Sequence, residues 1–232
     1  MTRDLERGAN YPHAVFGTAD GIAHEFAGPV AVVAYGGLLH GVGMMPPFEF
    51  FGVLDGLDVS RVFVRDFDQA WYQRGVRGVG DDYATVAAAL GELLRANGVE
   101  RAVHVGSSAG GFAAIMFGCL TGAVAVHTFG AETTIDRSQL AGHDARWDKQ
   151  LDRIDVGDRP TMLDLEPLVA SSPTRVHCHY GALEVEDAWH AGRIRCAAHA
   201  YDGIAHDLAR ALRDRDELRS ILANAVADAT AS

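Results

Sequence analysis

Arg101-Ala102-Val103-His104-Val105-Gly106-Ser107-Ser108-Ala109-Gly110-Gly111-Phe112 decides the fold of this chain. A short β-type run over residues 101–105 meets a turn made only of small residues. A second apolar run, over residues 112–120, follows at once. Within the turn, Gly106-x-Ser108-x-Gly110 predicts a sharp strand-to-helix junction, a nucleophile elbow. The reason is steric. A serine on such a turn lifts its hydroxyl above the sheet edge in a strained backbone conformation. Strand and helix then pass so close that the positions two residues away on each side must be small. The helix starts beside the serine, so its first N–H groups face whatever bonds to the hydroxyl. A Walker phosphate loop is disfavoured because no lysine follows the glycines, and a dinucleotide fingerprint would need a different glycine spacing.

The rest of the chain supplies the sheet that such an elbow needs. Residues 29–35 form a continuous apolar run, the pattern of a strand buried on both faces in a parallel sheet. Residues 59–64, 123–128, 175–180 and 195–201 read as further strands. Between them, Tyr83, Val86, Leu90, Leu93 and Leu94 recur at helical spacing within residues 81–97, and Gly98 is a stop signal. Residues 187–194 and 206–225 read as helices. A hairpin is expected around Asp20-Gly21, between residues 14–16 and 22–26, and Pro46-Pro47 is expected to open a short helix. Alternating strands and helices predict an α/β fold: a mainly parallel central sheet with helices on both faces. All 232 residues are expected to form one domain, with a small helical lid within residues 131–174.

Composition excludes several functions. The formal net charge of −11 argues against nucleic-acid or anionic-membrane partners. No apolar run is long enough to span a membrane, and residues 1–6 lack an apolar signal core. Three cysteines, Cys119, Cys178 and Cys196, show no paired spacing and suit a reducing cytoplasm. His177 and His179 lie two apart on one strand face, but no third ligand accompanies them, so no metal and no cofactor are expected. Arg65, Arg74 and Arg77 are read as surface charge rather than as an anion site. Composition says nothing of oligomeric state.

Right-handed crossovers bring the loops after the strands to one sheet edge, where ligands bind. That edge holds residues 36–40, 66–72, 130–134, 181–187 and 202–206. It contains a serine, carboxylates and a histidine in the order Ser, Asp or Glu, His. Ser108 needs a base to become a nucleophile, and the base needs an acid to fix its tautomer. His206, just after the last strand, fits the base better than His199 within that strand. Glu184 and Asp187 both fit the acid. Asp187 is preferred for its short side chain, although it could serve merely as a helix N-cap.

With these residues in view, the chain resembles the alpha/beta-hydrolase superfamily over nearly its whole length. The likeness is carried by residues 106–111, the Gly36-Gly37 turn and Gly203-Ile204-Ala205-His206. It implies Ser108 as nucleophile, His206 as base and Asp187 as acid. It also implies an oxyanion hole from the N–H of Ala109 and that of Gly37 or Leu38. Trp71 and Tyr72, outside any superfamily signature, have the apolar area to line a substrate pocket, and His40 joins them as a substrate contact. Two functions remain open: a serine hydrolase or acyltransferase acting on a small-molecule ester, thioester or amide, and a non-hydrolytic protein using the same pocket.

Overall fold

The computed structural model describes residues 20–38 and 48–231. Seven strands form one sheet: β1 (Ile22–Glu25), β2 (Val30–Tyr35), β3 (Ser60–Val64), β4 (Arg101–Ser107), β5 (Ala125–Phe129), β6 (Arg175–Gly181) and β7 (Ala197–Tyr201), in the order β1-β3-β2-β4-β5-β6-β7. Only β1 runs antiparallel, against β3. The other neighbours are parallel. The strand half of the expected hairpin over residues 14–16 lies outside the described residues, as do Pro46 and Pro47.

Strand alternation sorts the core into two layers. From β2, Ala31, Val33 and Tyr35 face one layer, and Val30, Val32 and Ala34 face the other. The first layer is filled by α2 (Tyr83–Ala96) and α3 (Ala109–Thr121). The second is covered by α1 (Phe51–Leu54), α8 (Leu208–Asp214) and α9 (Glu217–Ala231). Asp82 starts α2 with a capping box: its carboxylate accepts the Thr85 N–H, and the Thr85 hydroxyl receives the Asp82 N–H. The closing helix expected over residues 206–225 is in fact this α8–α9 pair. Asp216, with φ of 60°, breaks it, because a left-handed residue cannot continue a right-handed helix.

Residues 131–174 carry short helices: α4 (Arg137–Leu140), α5 (Asp148–Leu151) with a 3-10 turn (Asp152–Ile154), and α6 (Glu166–Ser171). The helix after β6 is α7 (Val185–Arg193). The elbow is as tight as its glycines require. A Cβ on Gly106 would lie 2.0 Å from the Gly110 carbonyl oxygen, and one on Gly110 would lie 2.4 Å from that of Tyr35.

Several histidines lie within the strands. His127, His177, His179 and His199 stack across β5, β6 and β7. His104 lies in β4, 3.0 Å from the Tyr35 hydroxyl. Burial pushes His104 and His127 down to about 3 and His179 to about 2, with neighbouring imidazoles adding to the last two. These three rings are neutral in the fold and gain protons only when the chain unfolds, at the ordinary value of about 6.5. Their stabilisation is complete above that pH and is lost as pH falls from there toward about 3. Thermal melts should therefore show Tm falling from pH 7 to pH 5, with the uptake by these three imidazoles on unfolding growing from under about one proton at pH 7 to about three at pH 5; a flat Tm over that range would contradict these placements.

Candidate active site

Ser108 is the residue between β4 and α3. Its φ of 50° and ψ of −124° put it outside the usual regions, and the packed strand and helix on either side hold it there. Its Oγ lies 3.1 Å from Nε2 of His206, which follows β7. On the other side of the ring, Nδ1 lies 2.9 and 3.0 Å from the two carboxyl oxygens of Asp187. The structure thus brings Ser108, His206 and Asp187 together from the ends of three strands. Asp187 is the third residue of α7, so it is not the helix cap; Glu184 takes that position and makes no cap bond. The imidazole meets Asp187, not Glu184.

Three further charged residues complete the site. Arg146, ahead of α5, donates to Asp187 at 2.9 Å, pairs with Glu184 at 3.2 Å, and binds both oxygens of Asp144 through Nε and Nη2 at 2.7–3.1 Å. Its Nη1 is also 3.2 Å from Nδ1 of His206. Asp144 is shared with His190, 3.3 Å away. That ring accepts the Thr133 N–H at Nδ1, so Nε2 carries the proton that Asp144 receives. Burial alone would raise the Asp144 carboxyl, but the His190 and Arg146 hydrogen bonds hold it well below the usual carboxylate range. Glu132, in the loop after β5, is the third. Its Oε1 accepts from the Ser108 hydroxyl at 3.1 Å and its Oε2 from the Trp71 indole at 3.3 Å.

These charges act on His206. Burial pulls the His206 imidazole down. The Asp187 hydrogen bond and charge, joined by Glu132, outweigh that pull and raise it above the ordinary histidine value, while the Arg146 charge opposes the rise.

The backbone N–H groups beside Ser108 differ in how they are engaged. The Gly37 N–H is already engaged, donating to Oε1 of Glu49 at 2.9 Å. Burial pushes the Glu49 carboxyl up to about 7, the Gly37 bond opposing and Asp207 adding. Among the described residues, the N–H groups of Ala109 and Leu38 have no acceptor. Ser108 and His206 open onto a cleft of about 900 Å³, walled by Leu38, Phe48, Phe50, Phe51, Trp147 and Leu218.

The expectation for Trp71 and Tyr72 is corrected. Both are fully buried and neither lines the cleft. Asp66 causes this. Its carboxylate accepts the N–H groups of Asp68, Gln69, Ala70 and Tyr72, coiling the loop so that Gln69, Trp71 and Tyr72 take positive φ and the two rings turn inward. The Tyr72 hydroxyl donates to the Gly36 carbonyl at 2.9 Å; Trp71 packs edge-on against Trp147, which does line the cleft. His40 lies outside the described residues. His177 and His179 belong to the stacked imidazoles. No cluster of three or more His, Cys, Asp or Glu among the described residues is arranged to hold a metal ion.

Sequence reasoning missed Glu132, Arg146 and Glu49. Glu132 falls in a loop that the sheet-edge argument had marked, so topology alone could have nominated it. Arg146 sits in a segment without periodic pattern, and no spacing signals it.

No family model matches the chain, and no curated protein does. Solved structures do match. The capsule O-acetyltransferase of Neisseria meningitidis serogroup A superposes with a TM-score of 0.64 at 10% identity, covering 86% of this chain and 89% of that one. MenH from S. aureus gives 0.57 at 10% identity over 92% and 100% of the two chains. The Paleococcus ferrophilus monoacylglycerol lipase gives 0.55 at 11% identity over 90% and 98%. At such identities the likeness speaks for architecture, and with the strand order and the elbow above it establishes that this chain has the alpha/beta-hydrolase fold.

Proposed function

We propose that the protein is a serine hydrolase or acyltransferase acting on a small-molecule ester, thioester or amide. The observation that carries this reading is the continuous line from Ser108 Oγ through His206 to Asp187, with separations of 3.1 and 2.9 Å at the mouth of the cleft. Ser108 attacks the acyl carbon, and its proton passes to Nε2 of His206 as the Oγ–C bond forms. The Ala109 and Leu38 N–H groups receive the oxyanion, since Gly37 is held by Glu49. Collapse expels the leaving group, which takes the proton from His206. Water, an alcohol or an amine then repeats the sequence in reverse and frees the serine. Asp187 holds the base in the tautomer that leaves Nε2 free to accept.

Residues 131–174 act in this reading as a small lid, with Trp147 on its cleft side. The neighbours in fold include an acetyltransferase and a lipase, so the architecture accommodates transfer to a hydroxyl and to water alike. Among the described residues no helix is long and apolar enough to cross a membrane. Three unpaired cysteines fit a cytoplasmic setting.

A fluorophosphonate probe tests the reading directly. It should label the wild type and Ser107→Ala but not Ser108→Ala, because the Ser107 hydroxyl is turned to the Phe129 carbonyl. A folded wild type that never labels would refute acyl chemistry and favour a non-hydrolytic role. Asp187→Asn should fold normally and lose up to about 10⁴-fold in kcat through the wrong imidazole tautomer, whereas Glu184→Gln should cost far less. The labelling rate should rise with pH with its midpoint above about 6.5, because His206 must lose its proton to act. Arg146→Gln removes the cation that opposes protonation of His206, so its midpoint should move higher still; an unchanged or lower midpoint would exclude Arg146 from tuning the base.

A further inference from the structure

Glu132 is a buried ionisable group in contact with the nucleophile to which the acyl-transfer steps give no task. It is 1% exposed. Its carboxylate has two donors, the Trp71 indole and the Ser108 hydroxyl, and no ion pair with Lys or Arg among the described residues. Arg146 directs its guanidinium to Asp144, Glu184 and Asp187 instead.

The Ser108 hydroxyl has one proton and two acceptors, Nε2 of His206 and Oε1 of Glu132, each 3.1 Å away. A hydroxyl hydrogen points along one direction at a time. Attack requires it on the His206 side, because Nε2 takes it as Oγ bonds to carbon. When it points to Glu132, Nε2 faces only a lone pair. The line is then best satisfied by a second proton, with Nε2–H donating to Oγ and Oγ–H donating to the carboxylate. That doubly protonated line cannot attack, and the Glu132 charge stabilises it.

We propose that Glu132 is a positioning residue that competes with His206 for the Ser108 proton and so sets the pH at which the serine becomes nucleophilic. This rests on the acyl-transfer reading above. The other charged groups around the base act from elsewhere: Asp187 and Glu184 at the start of α7, Arg146 and Asp144 ahead of α5, and Glu49 and Asp207 along the cleft. None of these six bonds to the serine hydroxyl.

Glu132→Gln keeps the volume and reverses the contact. The amide carbonyl accepts from Trp71, its NH₂ faces Oγ, and the serine proton is left with His206 alone. Trp71→Phe does the opposite: it removes the donor on Oε2 and leaves Ser108 as the carboxylate's remaining partner. Both variants and the wild type would be labelled with a fluorophosphonate across about pH 5 to 9, and the His206 Cε1–H resonance titrated by NMR over the same range. The midpoint should fall by about one unit in Glu132→Gln and rise in Trp71→Phe. A residue with only a structural role would change Tm and leave both midpoints in place. Coincident midpoints in the wild type and Glu132→Gln overturn the proposal; should that variant fail to fold, an unmoved Trp71→Phe midpoint overturns it. If the folded wild type never labels, the acyl-transfer reading fails separately. The NMR titration, which needs no reaction, then decides by itself whether Glu132 controls the His206 proton.

Discussion

The structure depends on one close approach. At Gly106 and Gly110 the backbones of β4, α3 and β2 come nearer than any side chain allows. This contact fixes where α3 starts, and α3 is buried along residues 109–118. Once the helix is seated, Ser108 has no choice of conformation. A non-glycine residue at positive φ costs about 1–3 kcal/mol, a small sum beside the apolar burial of a whole central helix. The hydroxyl, the start of the helix and the Ala109 N–H are consequences of that packing. Asp187 and His206 need only follow the neighbouring strands β6 and β7 to the same sheet edge, which a parallel sheet ensures.

Around the elbow the electrostatics are those of an acid-rich interior with few cations. Asp144, Asp187, Glu184, Glu132 and Glu49 surround His206, Arg146 and Ser108. Buried charge is tolerable only where it is paired or hydrogen-bonded. Here each carboxylate has a donor: Arg146 for Asp187, Asp144 and Glu184, an indole and a hydroxyl for Glu132, a backbone N–H for Glu49. Arg146 is shared three ways, which makes it the group on which the balance rests.

Much of this was legible in the sequence, for physical reasons. The elbow was readable because only small residues survive its sterics. The buried strands were readable because a parallel sheet needs unbroken apolar runs, and His206 followed from chain order. The choice between Asp187 and Glu184 was less secure, since both lie in one loop and helix registry decides which faces the imidazole. Trp71 and Tyr72 were misread because aromatic area favours any apolar surface. Their direction was set by Asp66 gathering four N–H groups, a local device that leaves no periodic trace. Arg146 and Glu132 were missed because a carboxylate or guanidinium in an irregular segment looks like surface until the tertiary fold closes over it.

The segment between β5 and β6 bears on how such a protein can change. It supplies Glu132 against Ser108, Arg146 and Asp144 behind Asp187, and Trp147 to the cleft wall. It is therefore not an interchangeable cover on a site finished without it. Replacing it wholesale with the corresponding segment of another protein would exchange the cleft wall and the charges beside Ser108 and His206 in one step. Insertions here would alter the charges around Ser108 and His206 as well as the shape of the cleft.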